Sequence, residues 1–163
     1  MIRHLSIRQA TPADKDYIIM CVRKLTKIVL GTKSLPYNIN IENTFDEMIK
    51  DPGCHMFIAE ENGKKLGGAV TTIQNMLHMG GKFLYIQELL IEDEARGKGV
   101  GGKMLKFIED YSKEQGCLAL ELQQPPETTK YHEARTKFYT DQGYEFSGLA
   151  RMKRFANWIK LDE

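Results

Sequence analysis

The chain has three cysteines, Cys21, Cys54 and Cys117, and no Cys-x-x-Cys pair. An odd, scattered set supports neither a disulfide framework nor a zinc site, and reads as small buried hydrophobes in a reducing compartment. His4, His55 and His78 are equally isolated, so no metal is expected. Neither sign of charge is in excess: 23 basic against 22 acidic side chains leave a formal net charge of +1. That balance argues against bulk attraction to nucleic acid or to a membrane surface. No apolar run approaches the length that spans a bilayer. No signal-peptide pattern opens the chain, because Met1-Ile2-Arg3-His4 leads directly into strand-like sequence. These absences predict a cytoplasmic protein. Repeats, linkers and low-complexity tracts are also missing from the 163 residues. Residues 1–163 are therefore read as a single domain, large enough for a real core. An apolar fraction of 42% beside 28% charged residues fits that reading.

Periodicity and punctuation give the order of elements. Leu5–Arg8 alternates as a strand. Thr11-Pro12 is a helix start, with Thr11 as cap, and the helix runs to about Leu30 with Ile18, Cys21, Val22, Leu25 and Ile28 inward. Gly31–Asn40 is a polar loop. Ile41–Lys50 reads as a short helix stopped by Asp51-Pro52-Gly53. His55–Ala59 and Leu66–Gln74 are strands joined at Asn62-Gly63, a hairpin-turn dipeptide. Met79–Lys82 is another turn, and Phe83–Ile91 is a buried strand. A helix follows, with apolar positions 104, 105, 108 and 111, and ends at Gln115-Gly116. Cys117–Leu122 is a strand, Tyr131–Gln142 the last helix, and Ser147–Phe155 a closing strand. The pattern β-α-α-β-β-β-α-β-α-β-β predicts a mixed sheet with helices on its faces.

The segment Arg96-Gly97-Lys98-Gly99-Val100-Gly101-Gly102 lies between a strand and a helix. Glycines there let the backbone approach a ligand, and the helix N-terminus offers unpaired N–H groups at its positive end. Arg96 and Lys98 add charge. This describes an anion site, usually a phosphate site. Gly97-x-Gly99-x-x-Gly102 matches the dinucleotide fingerprint literally, with Glu121 about twenty positions on. But residues 92–96 separate the strand from the glycines, and residues 103–163 are too few to complete a doubly wound fold. The segment also nearly matches a phosphate-binding P-loop, Gly97-x-x-x-x-Gly102-Lys103. The next residue is Met104, so the magnesium-binding hydroxyl is missing.

A third reading accounts for the whole segment. The run Leu89 to Gly101, with Arg96, Gly99 and Gly101 in an Arg-x-x-Gly-x-Gly pattern, resembles the acetyl-coenzyme A loop of the GCN5-related N-acetyltransferase (GNAT) family. Phe138-Tyr139 followed by Gly143-Tyr144 resembles that family's second landmark, in the expected order. The resemblance spans about residues 3 to 155. It implies an α/β (mixed α+β) fold with a central, mostly antiparallel sheet flanked by helices. It also implies direct transfer of acetyl from acetyl-coenzyme A to a primary amine, with no metal. No activated serine or cysteine nucleophile is apparent, which argues against a ping-pong route.

The resemblance further implies roles for particular residues. Leu89, Leu90 and Ile91 offer main-chain groups to the pantetheine arm and the acetyl carbonyl. Arg96, Gly97, Lys98, Gly99, Val100, Gly101 and Gly102 cradle the diphosphate. Tyr139 is the candidate acid for the departing thiolate, against the alternative of a tyrosine that packs by its ring; Phe138 is read as core. Glu88 matches an acidic position of the family and Glu121 lies on the neighbouring strand, on the face opposite Leu118, Leu120 and Leu122. Either could take the amine proton through water, bind the substrate cation, or only pair at a strand end. His132 stands where many members have a coenzyme-contacting asparagine, and Ala95 replaces an aromatic. The acceptor, a small-molecule or peptide amine, is expected to be set by the first two helices, Gly31–Asn40 and Asn75–Lys82. With Glu42 the only acid near that loop, a strongly polycationic acceptor is not indicated. Neither nucleic acid nor membrane is an expected partner; the oligomeric state stays open, homodimers being common in the family. A coenzyme A-binding sensor or structural module without catalysis is the rival reading.

Overall fold

The structure, a computed structural model, describes residues 4–31, 33–34, 40–153, 155 and 159–160. Five strands form the main sheet in the order β1-β3-β4-β5-β6. These are β1 (Leu5–Gln9), β3 (Cys54–Glu61), β4 (Lys64–Met76), β5 (Gly81–Ile91) and β6 (Cys117–Leu122). All neighbours are antiparallel except β5 and β6, which are parallel. The helices are α1 (Lys15–Leu30), α2 (Ile41–Met48), α3 (Val100–Glu114) and α4 (His132–Asp141). Two short strands, β2 (Lys33–Ser34) and β7 (Ile159–Lys160), pair with each other.

The sheet has a core on each face. On one face α3 buries Val100, Met104, Leu105 and Ile108, an apolar stripe at helical spacing, against Phe57, Ala69, Leu84 and Ile86. Phe57 meets Phe107 and Tyr111 edge-on. On the other face Ile18 and Ile19 of α1 and Phe45 of α2 pack on Met56, Ile58 and Val70. The start of α1 is tied to the sheet by charge. Asp14, buried, accepts from Arg8 at 2.8 Å and from Lys65 at 2.8 Å, which holds its carboxyl well below the usual range. Arg8 also reaches Glu60.

The hairpin at Asn62-Gly63 forms as expected, with both residues at positive φ. Pro12–Asp14 is a 3-10 turn rather than the first turn of α1, and Asp14 accepts the Thr11 backbone N–H at 2.9 Å. One expectation fails. Among the described residues of Ser147–Phe155 there is no strand, and Phe146, Leu149, Met152 and Phe155 are exposed. The segment is rich in apolar residues, but among the described residues no strand pairs with it. The loop expected at Gly31–Asn40 falls largely outside the described residues.

Candidate active site

Two irregularities in β5 build the site. The first is a bulge. Val70 pairs with Glu88 and Thr71 with Ile86, so Gln87 is an extra residue. A bulge resets which face the following side chains take. Leu84 and Ile86 point to the α3 face, and after the bulge Leu89 and Ile91 join them. Glu88 and Leu90 therefore go to the α1–α2 face, opposite Val70 and Gly68. The second is a splay. The parallel pairing of β5 with β6 ends at Ile86–Leu122. Among the described residues, the main-chain groups of β5 from Gln87 to Ile91 on the β6 side have no strand partner, which leaves a wedge between the strands.

Tyr85, Glu88 and Glu121 come together on the α1–α2 face. Tyr85 sits directly beside Glu121 in the parallel ladder. Burial raises the Tyr85 hydroxyl pKa first, and the charges of Glu121 and Glu88 raise it further. Burial alone pushes the Glu88 carboxyl up to about 7. Glu121 is exposed. It lies opposite Leu120 and Leu122, as expected, but Leu118 does not share their face. A register shift beside Lys82–Cys117 makes Leu118 the extra residue, and it projects into solvent at 64% exposure.

The glycine loop leads from β5 into α3 through a 3-10 turn at Asp93–Ala95, with Ala95 buried. Gly97 and Gly99 have φ of 72° and 82°, which glycine adopts without strain. Space within 4 Å of a side chain at either is open. Gly99 caps α3 with no side chain, so the first N–H groups of the helix, at Val100, Gly101 and Gly102, are left for a ligand. At Gly101 a Cβ would lie 3.1 Å from Phe138, so glycine also lets α4 close on α3. Arg96 pairs with Asp93 at 2.8 Å and its guanidinium lies 5.7 Å from the centre of the Tyr131 ring.

Tyr139 lies half-buried, edge-on to Phe138 and Tyr144 at 5.2 and 5.8 Å. Burial raises its pKa and the Arg135 cation opposes this, so the hydroxyl keeps its proton at neutral pH. Two polar atoms near the start of α4, His132 Nδ1 and Arg135 Nη1, are buried without a partner. Buried polar atoms are nearly always satisfied, so these two fit a ligand that supplies hydrogen-bond partners near the start of α4. Together with the open helix N-terminus and the unpaired β5 edge, they match the amide-rich arm and diphosphate of coenzyme A. Among the described residues no group of three or more His, Cys, Asp and Glu could hold a metal.

Sequence reading missed Tyr85, Arg135 and the wedge. Tyr85 and Glu88, three apart, would face opposite sides of a regular strand; only the bulge brings them together. Arg135 and His132 are one helical turn apart, a spacing that could have linked them. A further feature is an open cavity of about 400 Å³, lined by Asp16, Ile19, Arg23, Lys24 and Lys27 of α1 and Glu42 of α2. It adjoins the site because α1 crosses β4–β5 at Gly68, where a Cβ would touch Cys21 Sγ at 3.2 Å, and Gly68 pairs with Leu90. Lys24 is neutralised by Glu92 at 2.6 Å. Arg23 and Lys27, one turn apart, make no ion pair with any described residue.

The chain belongs to the acetyltransferase (GNAT) family, whose model matches residues 23–144. It is an acetyl-coenzyme A-dependent N-acetyltransferase. It is 27% identical over 141 residues to an aminoalkylphosphonate N-acetyltransferase of Salmonella typhimurium, covering 86% of this chain and 85% of that protein. In fold it is similar to a possible acetyltransferase from Clostridium difficile, with a TM-score of 0.77 and 18% identity over 95% of this chain and all of that one. It is also similar to an aminoglycoside N-acetyltransferase solved with coenzyme A, with a TM-score of 0.73 and 17% identity over 93% and 94% of the two chains. No helix among the described residues is long and apolar enough to cross a membrane.

Proposed function

We propose that the acceptor is a small primary amine that also carries an anionic group such as a phosphonate, phosphate or carboxylate. The observation that carries this reading is the α1–α2 cavity, where Arg23 and Lys27, one helical turn apart and in no ion pair with a described residue, face the space also lined by Asp16 and Glu42. The similarity to an aminoalkylphosphonate N-acetyltransferase supports it. Lys24 contributes less, since Glu92 offsets its charge. Replacing both Arg23 and Lys27 by alanine should raise KM for an aminoalkylphosphonate at least tenfold. KM for an uncharged alkylamine should be unchanged. Equal effects on both amines would remove the cavity from acceptor recognition.

When bound, acetyl-coenzyme A supplies an acetyl group activated as a thioester. The chain's own residues do the rest. The N–H groups of Val100, Gly101 and Gly102, with Arg96 and Lys98 beside them, hold the diphosphate. His132 Nδ1 and Arg135 Nη1 complete the arm site. Unpaired main-chain groups of Leu89, Leu90 and Ile91 orient the arm, and a β5 N–H polarises the acetyl carbonyl. Glu88 takes the ammonium proton, directly or through water. An alkylammonium has a pKa near about 10, so the free amine is scarce at neutral pH and a base near 7 is well matched to the task. Glu121 and Tyr85, on the same face, position the amine. Tyr139 gives its proton to the departing thiolate. The cytoplasm supplies the reducing setting that suits three free cysteines.

Glu88 has a second consequence. Its carboxyl titrates near 7 in the folded protein and near the ordinary carboxylate range when unfolded. Between those values the native state binds a proton that the unfolded chain does not, so stability falls as pH rises across that window. Glu88→Gln should flatten that slope in thermal melts. The same variant should lose the inflection near pH 7 in the kcat/KM profile and most of its turnover. A wild-type profile that rises through pH 7 in the variant would rule out Glu88 as the base.

A further inference from the structure

We infer that Tyr131 and Arg96 form a crossbar over bound coenzyme, and that Tyr131 is a positioning residue that slows coenzyme release. The inference rests on the placement of the arm and diphosphate given above. The first observation is a strained residue where local rules favour another. Tyr131 stands at the N-cap of α4 with φ 67° and ψ 20°. The other non-glycine residue at positive φ among the described residues is Asn62, in a turn dipeptide that suits it. A tyrosine in the left-handed region is an outlier. It also gives α4 no side-chain cap bond, which an asparagine, aspartate or serine is able to make. Burial does not offset this, since the residue is 48% exposed. The main chain around it is held in place. The His132 N–H donates to the Thr129 carbonyl at 3.1 Å, and Arg135 Nη2 donates to the Lys130 carbonyl at 3.1 Å. Strain held by its surroundings in this way gathers at functional positions.

The second observation is what the ring meets. The Arg96 guanidinium lies 5.7 Å from its centre and Lys130 Nζ lies 4.8 Å from it. Arg96 is itself fixed from two further sides. Its Nε donates to the Ile91 carbonyl at 3.2 Å, and Nη1 pairs with Asp93 at 2.8 Å. The guanidinium therefore spans from the end of β5 to the start of α4.

The third observation is where that span lies. β5 and β6 pair as far as Ile86–Leu122 and then part. One chain runs on to Ile91, the other through Pro125-Pro126 to Tyr131. The Arg96–Tyr131 contact rejoins them at the far end of the wedge. The second half of α4 reaches α3 separately: a Cβ on Gly101 would lie 3.1 Å from Phe138, and one on Gly102 3.5 Å from Gln142. The crossbar thus lies between the wedge, which takes the arm, and the N-terminus of α3, which takes the diphosphate. A coenzyme that occupies both must cross it. The diphosphate is anionic and Arg96 cationic, so a filled site favours the closed crossbar. The first turn after Tyr131 also carries the unpartnered His132 Nδ1 and Arg135 Nη1.

Surface plasmon resonance with coenzyme A over the immobilised protein tests this. Tyr131→Asn should release coenzyme about three- to thirtyfold faster than the wild type, the range of one cation–π contact, with a smaller change in association. Tyr131→Phe should restore slow release, because the ring remains. Without ligand, Tyr131→Asn should melt no lower than the wild type, since asparagine suits the left-handed region. In an Arg96→Ala background, Tyr131→Asn should change release no further. Unchanged release, a melting temperature well below wild type, or equal acceleration in both backgrounds would overturn the inference. Faster association with unchanged release would make the contact a barrier to entry, and would overturn it too. Gly99→Asp keeps the two readings apart. If that variant still binds coenzyme, the placement of the diphosphate is wrong and the crossbar falls with it. If it loses binding while Tyr131→Asn behaves as the wild type, the placement stands and the crossbar alone fails.

Discussion

Gly99→Asp should abolish acetyl-coenzyme A binding while leaving the chain folded. The residue stands at φ 82° just before α3, with open space around it. Aspartate tolerates this left-handed conformation better than most residues. Its carboxylate would lie in front of the N–H groups of Val100, Gly101 and Gly102, in the place proposed for the diphosphate. Those groups would gain an internal acceptor, and the ligand would meet a negative charge. In the wild type, ligand at about 100 times its Kd adds roughly 2.7 kcal/mol to stability by mass action. That thermal shift should vanish in Gly99→Asp, and the melting temperature without ligand should fall modestly, because a side chain at φ 82° is strained. Gly99→Ala, with no charge, should weaken binding less. Wild-type affinity in the aspartate variant would mean that the diphosphate is held elsewhere.

Tyr139→Phe should lower kcat by about 10²–10⁴-fold, the usual range for general acid catalysis. The KM for acetyl-coenzyme A should hardly move, because the hydroxyl acts in the transition state and the ring contacts remain. Those contacts, to Phe138 and Tyr144, involve the ring alone. Burial keeps the hydroxyl protonated across the working pH, which a donor requires. A fall in kcat of less than about threefold would assign the residue to packing. Loss of affinity without loss of turnover would assign it to coenzyme binding.

Much of this architecture was legible because its signals are local. The Asn62-Gly63 turn, the stripe at Met104, Leu105 and Ile108, and the glycines before α3 each follow from neighbouring residues, and each appears where expected. The long-range features were not legible in the same way. Nothing near Gln87 announces a bulge, since a one-residue slip is decided by how β4 pairs with β5. That slip sets the facing of Glu88, and with it the company of Tyr85. The wedge depends on where β6 stops pairing, which Pro125-Pro126 only hints at. The cavity at Arg23 and Lys27 needs α2 beside α1, a tertiary fact. The expected strand at Ser147–Phe155 failed for a related reason. Apolar side chains make a segment able to pair, but whether it pairs depends on a neighbouring strand that local sequence does not reveal.

Release of free thiol from acetyl-coenzyme A by the wild-type protein, followed across matched amines, tests the account most directly. An aminoalkylphosphonate should be acetylated with a kcat/KM at least tenfold above that of the same alkylamine without the phosphonate. An amino acid of similar length should fall between the two. No thiol release with any amine, or equal rates with and without the anionic group, would contradict it.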